Sequence, residues 1–291
     1  MNGHSDDLAR KYLDSLSIAW NHVNGGEAST EFSFCGKTFA TPIMAGGMAH
    51  YHKMHADGIV GFAKAVTNAG SVMWSGYCED ELVEACVAEG ASFVRILKPL
   101  ADRDVLEKWI DHDEKAGCIA FAMDVDHSFT KQGGLGEFFG HPLKAMQTAD
   151  LREIAASTSL PFLVKGVVSV ADAIACAEAG VYGIVLSNHQ NLFPWTVPPI
   201  MMVEEIKKAV GDDLKVYVDS CLDDGYACFK ALALGADGVC MARSLRTVFM
   251  EKGADAVEEK LKRDTAILKA CMGKTAAPDI RHIPRDCIRS V

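Results

Sequence analysis

PFLVKGVVSVADAIACAEAGVYGIVLSNH, residues 161–189, holds two apolar runs separated by a stretch of helical periodicity. The first run, PFLVKGV (161–167), and the last, GIVLSNH (183–189), are nearly continuous in apolar residues, as parallel strands buried on both faces must be. Ala171–Ala179 between them reads as a helix, so the stretch is one β-α-β unit. Outward from it the same rhythm recurs. Toward the N-terminus stand PIMAGG (42–47), SVMWSG (71–76), FVRILKP (93–99) and CIAFAMDVD (118–126); toward the C-terminus stand KVYVDS (215–220) and GVCMARS (238–244). Asp57–Ala69, Asp102–Ala116 and Asp223–Leu234 supply further helical periodicity between the runs. Eight such units, about thirty residues apart, predict an α/β chain folded as a single (β/α)8 TIM barrel. The barrel is expected over residues 41–275, with an N-terminal extension (1–40) covering it, a C-terminal helix and a tail (276–291).

In that fold chemistry sits at the C-terminal ends of the strands. The rule selects Lys98, Asp124, Asp126, Lys165, Asn188, His189, Asp219 and Arg243. Composition narrows the function further. Of 291 residues nearly half are hydrophobic, enough for a sizeable core, yet charged or helix-ending residues interrupt every apolar run before it reaches membrane-spanning length. The formal charge of −10, with no basic stripe to offset it, argues against a nucleic-acid partner. The polar, acidic start MNGHSDDLARKYLDS lacks a signal-peptide pattern. The ten cysteines form no CxxC pair, and several (Cys118, Cys176, Cys240) lie inside apolar patterns. Buried free thiols in a reducing cytoplasm are therefore expected.

Before the first strand, Lys11–Trp20 reads as a short helix and Phe32–Phe39 as a small strand or hairpin over the barrel bottom. The longest connection, from His127 to about Thr148, contains KQGGLGEFFGHP and is expected to form a lid over the mouth. Ala254–Met272 reads as an amphipathic closing helix, and DIRHIPRDCIRSV carries no strong structural signal.

His189 ends an apolar strand at the catalytic rim, and an imidazole titrating near neutrality suits a general base. Asp126 could reach across the mouth to orient it. Lys165 follows three apolar residues, so its ammonium points into the mouth or carries a heavy burial cost. It could stabilise an anion, hold a phosphate, form a Schiff base, or merely pair with Asp124 or Asp219. Arg243 suits an anion at the strand-eight end, whereas Asp223 and Asp224 read as helix capping. His50, His52 and His55 follow strand one, but a matching further histidine pair is not evident, and no metal is assigned.

These strand ends carry a resemblance. PFLVKGVVSVADAIACAEAGVYGIVLSNH followed by VYVDSCLDDGYACFKALALGADGVCMARSL resembles the second half of the FMN-dependent α-hydroxy acid dehydrogenases and oxidases, the group of glycolate oxidase and lactate oxidase. The likeness covers roughly residues 36–272 and is most specific at VKG, SNH and FKALALGA. It implies an FMN cofactor, with Lys165 near the flavin N1–C2 carbonyl and His189 taking a proton while a hydride equivalent passes to flavin N5. Asp126 would be the partner carboxylate. Gly46, Gly47, Ser75 and Asp124 would lie along the ring, and Asp219 and Arg243 along the ribityl-phosphate arm. It also implies a homo-oligomer, a tetramer or larger, acting on a small molecule.

The departures are specific. The family continues SNHG, with an arginine three residues after the histidine that clamps the substrate carboxylate; here Gln190 and Leu192 stand at those positions. Leucine cannot replace a bidentate guanidinium. Lys98 or Lys131 could act as a point charge instead; otherwise the substrate is not a simple 2-hydroxy acid. Asp124 replaces a flavin-holding threonine, Ser220 and Cys221 replace paired glycines, and Asp223 replaces a phosphate-binding arginine. An aspartate about 5 Å from one phosphate charge repels it by roughly 3 kcal/mol at an effective dielectric of 20. Three readings stay open: an FMN-dependent oxidoreductase oxidising a hydroxyl-bearing small molecule; a flavin-independent lyase or isomerase using Lys165 or Lys98 with Asp124 and Asp126; and a barrel that binds without catalysing.

Overall fold

The computed structural model describes residues 3–23, 25–189 and 192–291. Eight parallel strands close into a barrel: Ile43–Met48 (β1), Met73–Ser75 (β2), Phe93–Leu97 (β3), Ala120–Asp124 (β4), Phe162–Val167 (β5), Gly183–Leu186 (β6), Lys215–Val218 (β7) and Gly238–Met241 (β8). Closure is made by β8 on β1, with Val239 opposite Ile43 and Met241 opposite Ala45. Each strand falls on a run read from the sequence, β1 passing its end by one residue to Met48, because a strand covered on both faces must be apolar throughout. The helices alternate with them: Gly58–Asn68 (α2), Asp80–Ala88 (α3), Arg103–Ala116 (α4), Thr148–Ala156 (α5), Val170–Ala179 (α6), Pro199–Val210 (α7) and Gly225–Ala233 (α8). Local chemistry sets their starts. Ser169 caps α6 by accepting from the Asp172 amide at 3.1 Å, and Asp224 caps α8 by accepting from Ala227 at 2.8 Å.

The hairpin Phe32–Phe34 with Lys37–Phe39 closes the bottom, as read from the sequence. Its Phe34 is fully buried, with ring centroids 5.4 Å from Tyr217 and 5.9 Å from Trp74. Burying one such ring stabilises the fold by about 2–3 kcal/mol. All ten cysteines are free thiols, and all but Cys35 are buried.

Three local readings need correction. The first helix is His4–Ser15 (α1), not Lys11–Trp20. Its buried face runs through Ser5, Asp6, Ala9 and Leu13, so half of it is polar and invisible to a hydrophobic pattern. Leu16–Ile18 then leaves the helix to pair with Ile288–Ser290, with Ile18 opposite Ile288; the tail therefore ends in a short strand. The closing helix read at Ala254–Met272 is the second of two segments: Arg243–Lys274 (α9) is broken at Gly253, where φ is +75°. Finally, Asp126 lies beyond β4, in a 3-10 turn at Val125–Ser128, because the strand ends at Asp124.

The long connection after that turn is not structureless. It forms a two-residue-strand hairpin, Glu137–Phe138 with His141–Pro142, whose Phe138 and Phe139 rings lie 5.2 and 4.8 Å from Tyr77. No helix among the described residues is long and apolar enough to cross a membrane.

Candidate active site

The ends of β3, β4, β5, β6 and β7 place five side chains of opposing charge together. Asp124, at the end of β4, is buried and accepts from both neighbouring lysines: Lys98 Nζ at 2.6 Å on Oδ2 and Lys165 Nζ at 3.1 Å on Oδ1. Burial pushes the Asp124 carboxyl up, but Lys165 and Lys98 outweigh it and hold the group well below the usual carboxylate range. Burial likewise pulls Lys165 down, and the carboxylates of Asp124, Asp219 and Asp126 outweigh it and hold the ammonium above the usual lysine range. Asp219 Oδ2 lies 3.8 Å from Lys165 and accepts from Ser187 Oγ at 2.8 Å.

His189 hangs over this cluster. Its Nδ1 faces Lys165 Nζ at 3.3 Å, Asp126 Oδ2 at 3.4 Å and Asp124 Oδ1 at 3.5 Å. Two carboxylates on that side favour a proton on Nδ1, which leaves Nε2 as the basic nitrogen. That Nε2 meets His127 Nε2 at 2.9 Å. Asp126 reaches the ring because Gly166, at φ +99°, has no side chain: a Cβ there would sit 2.6 Å from the Asp126 carboxyl carbon.

A crevice runs from this cluster past Gly47, Asp219 and Ala242 to Arg243. Ser220 and Cys221 along it keep the left-handed backbone of glycines, at φ +72° and +59°. Each costs roughly 1–2 kcal/mol for an L-residue. Ser220 recovers part of this by donating its one hydroxyl proton to Asp219 Oδ1 (2.7 Å) or to Asn188 Oδ1 (2.9 Å).

Other selected residues fall as follows. The buried Ser75 donates to the Met48 carbonyl at 3.3 Å, and Gly46 packs against Cys240 and Ala242 of the β8 end. Lys131 lies exposed on the long connection. Leu192 donates its amide to the Asn188 carbonyl at 3.1 Å, while Gln190 and Asn191 lie outside the described residues. His55 pairs with Asp57 at 3.2 Å, and among the described residues the grouping with metal-ligand spacing is instead Asp124, His127 and His189. Two lysines already neutralise its carboxylate, which disfavours a dication there. His127 had only a thin signal, its position directly after DVD; Asp6 and Arg10, which meet Arg243 and Asp223 from α1, had none.

The family model of FMN-dependent dehydrogenases matches residues 7–134 and 129–290, nearly the whole chain. The chain belongs to that family. Membership makes it an FMN-dependent oxidoreductase. Among its relatives, glycolate oxidase 3 of Arabidopsis thaliana is 28% identical over 294 residues, spanning 88% of this chain and 79% of that protein. A peroxisomal (S)-2-hydroxyacid oxidase of the same plant is 27% identical, over 89% of this chain and 80% of its own length. A mandelate oxidase variant solved with 2-hydroxy-phenylacetamide superposes with a TM-score of 0.89 at 24% identity, covering 99% of this chain and 91% of that one, a likeness of fold.

The residues fit a flavin unevenly. At the ring end Lys165 carries a fixed positive charge, and Gly47 presents bare backbone where a Cβ would meet Ile96 Cδ1 at 2.2 Å. That end suits a ring system whose reduced form is anionic. At the phosphate end Arg243 is the available cation, and Asp6 is paired with it.

Proposed function

We propose that this oxidoreductase oxidises a hydroxyl-bearing small molecule other than a simple 2-hydroxy acid, with His189 as the base. The observation that carries the reading is the placement of His189, its Nδ1 3.4 Å from the Asp126 carboxylate and its Nε2 against His127, the partner that a substrate hydroxyl would replace. Bound FMN would supply the two-electron acceptor for a hydride from the substrate carbon. His189 Nε2 takes the hydroxyl proton, and Asp126 and Asp124 stabilise the imidazolium that results. Lys165 supplies positive charge where negative charge develops, and its own carboxylate partners keep it protonated.

The charge balance of the mouth supports the substrate class. Lys98, Lys165 and Arg243 are each already paired with a carboxylate: Asp124, Asp124 with Asp219, and Asp6. Leu192 stands where the family carries its clamping arginine. An uncharged α-hydroxy ester, amide or ketone meets this mouth at lower desolvation cost than a carboxylate. The protonated state of Lys165 argues against Schiff-base chemistry there, since a nucleophilic amine must first lose its proton. The reading also takes the chain as a cytoplasmic homo-oligomer.

The test is direct. The purified protein should be yellow, should release FMN on denaturation, and should be bleached anaerobically faster by neutral α-hydroxy esters or amides than by the corresponding acids. A colourless protein that takes up no FMN sinks the reading; a preference for the acids sinks the substrate class.

A further inference from the structure

Arg243 opens α9 at the end of β8, where barrels of this kind gather loop amides and helix N-termini around anions. In this chain the anion is internal. Both guanidinium nitrogens of Arg243 grip the Asp6 carboxylate, Nη1 on Oδ2 and Nη2 on Oδ1, the second at 3.1 Å. Asp6 is 1% exposed, and Cys221 Sγ wedges beside the pair, 3.2 Å from Arg243 Nη2. This fork is the geometry a guanidinium offers to any pair of anionic oxygens, phosphate included.

Helix α1 is held at the rim by further contacts. Asn188 Nδ2 donates to Ser5 Oγ at 2.8 Å, the Ser5 amide donates to the Pro194 carbonyl at 3.1 Å, and Lys230 Nζ donates to the Leu13 carbonyl at 2.7 Å. Two polar atoms at this end are left over. Arg10 Nη1, on the side chain whose Nη2 lies 3.9 Å from Asp223, and Ser244 Oγ, next to Arg243, are both buried without a hydrogen-bond partner. Asp6 thus occupies the cation that a phosphate would need, while donors around it stand unused.

We propose that Asp6 is a built-in stand-in for the cofactor's phosphate, so that FMN loads only by displacing the Asp6 carboxylate from Arg243 and loosening the start of α1. The proposal rests on the reading that this crevice takes FMN. It makes Asp6 the residue that sets how strongly the chain distinguishes a phosphorylated flavin from an unphosphorylated one. Arg10 and Ser244 are the groups that a displaced carboxylate would leave to the phosphate, which accounts for Arg10 where the family's arginine at position 223 is absent.

The experiment compares the Kd of FMN and of riboflavin, by quenching of flavin fluorescence, for the wild type, Asp6→Asn and Ser5→Ala. Ser5→Ala loosens α1 while leaving the Arg243 counter-ion in place, so it decides the matter if Asp6→Asn does not fold. The expected result is FMN binding about tenfold tighter in D6N, tighter by a smaller factor in S5A, and riboflavin binding unchanged in both. FMN addition should also speed proteolytic cleavage within α1 of the wild type. FMN affinity that is unchanged or weaker in the variants, with riboflavin bound throughout, overturns the proposal and leaves the flavin reading intact. Failure of every form to bind either flavin sinks both.

Discussion

His127 and His189 meet Nε2 to Nε2 at 2.9 Å, their rings T-shaped with centroids 4.1 Å apart. One proton lies between two nitrogens, so one imidazole must donate and the other accept. Burial pulls His127 down to about 4, helped by Lys98 and His189, and it is neutral at neutral pH. It therefore donates to His189 without adding charge to the mouth, and it covers the nitrogen that a substrate hydroxyl must reach.

This depression links His127 to stability. The folded chain holds the ring neutral, so its contribution is fully present above the ordinary value near 6.5 and is lost as pH falls toward about 4. Urea denaturation at pH 7.5 and pH 5 should show the wild type losing on the order of 1–2 kcal/mol more than His127→Asn, after allowance for the ring's partial exposure. Equal losses in the two proteins would contradict the coupling.

Replacing His189 by glutamine should leave FMN bound and slow its anaerobic reduction. The expected fall is about 10²–10⁴-fold, the usual contribution of a positioned base. Stopped-flow absorbance with any hydroxyl compound that bleaches the wild type reads the effect. An unchanged reduction rate would remove His189 from the chemistry.

Asp124 carries two ammonium groups, and removing it strands Lys98 and leaves Lys165 to the more distant Asp219 at 3.8 Å. Asp124→Asn should destabilise the chain by on the order of 3 kcal/mol, because it leaves buried positive charge uncompensated. The double variant Lys98→Met, Asp124→Asn should recover part of the loss. Thermal unfolding followed by circular dichroism tests both; a D124N protein as stable as wild type would refute the account.

Gly166→Ala probes the contact between Asp126 and β5. Its Cβ would meet the Asp126 carboxyl carbon at 2.6 Å from a backbone at φ +99°, so Asp126 must move away from His189. Flavin reduction should slow about tenfold or more while FMN stays bound, since small misplacements of an orienting group are costly. A wild-type reduction rate would show that Asp126 does not orient the base.

The strands were legible because burial on both faces writes itself into the chain as apolar runs, and the barrel follows from their count and spacing. His189, Lys165 and Asp124 were legible because they interrupt those runs at their polar ends. The pairing of Leu16–Ile18 with Ile288–Ser290 was not, since three-residue strands at opposite ends of the chain carry no local pattern. The first half of α1 was hidden for a different reason: Ser5 and Asp6 occupy its buried face, and polar residues there are indistinguishable in sequence from a solvated surface.

The amino-acid sequence by itself thus determined the barrel, its family and the residues at the strand ends, all properties of local pattern and motif. Only the tertiary structure decided which charges meet. Lys98 is spent on Asp124, His127 covers His189, and Asp6 takes Arg243 from 237 positions away. A charge in a sequence has an identity but no partner, and its partner is chosen when closure of the barrel and docking of α1 exclude water from between them.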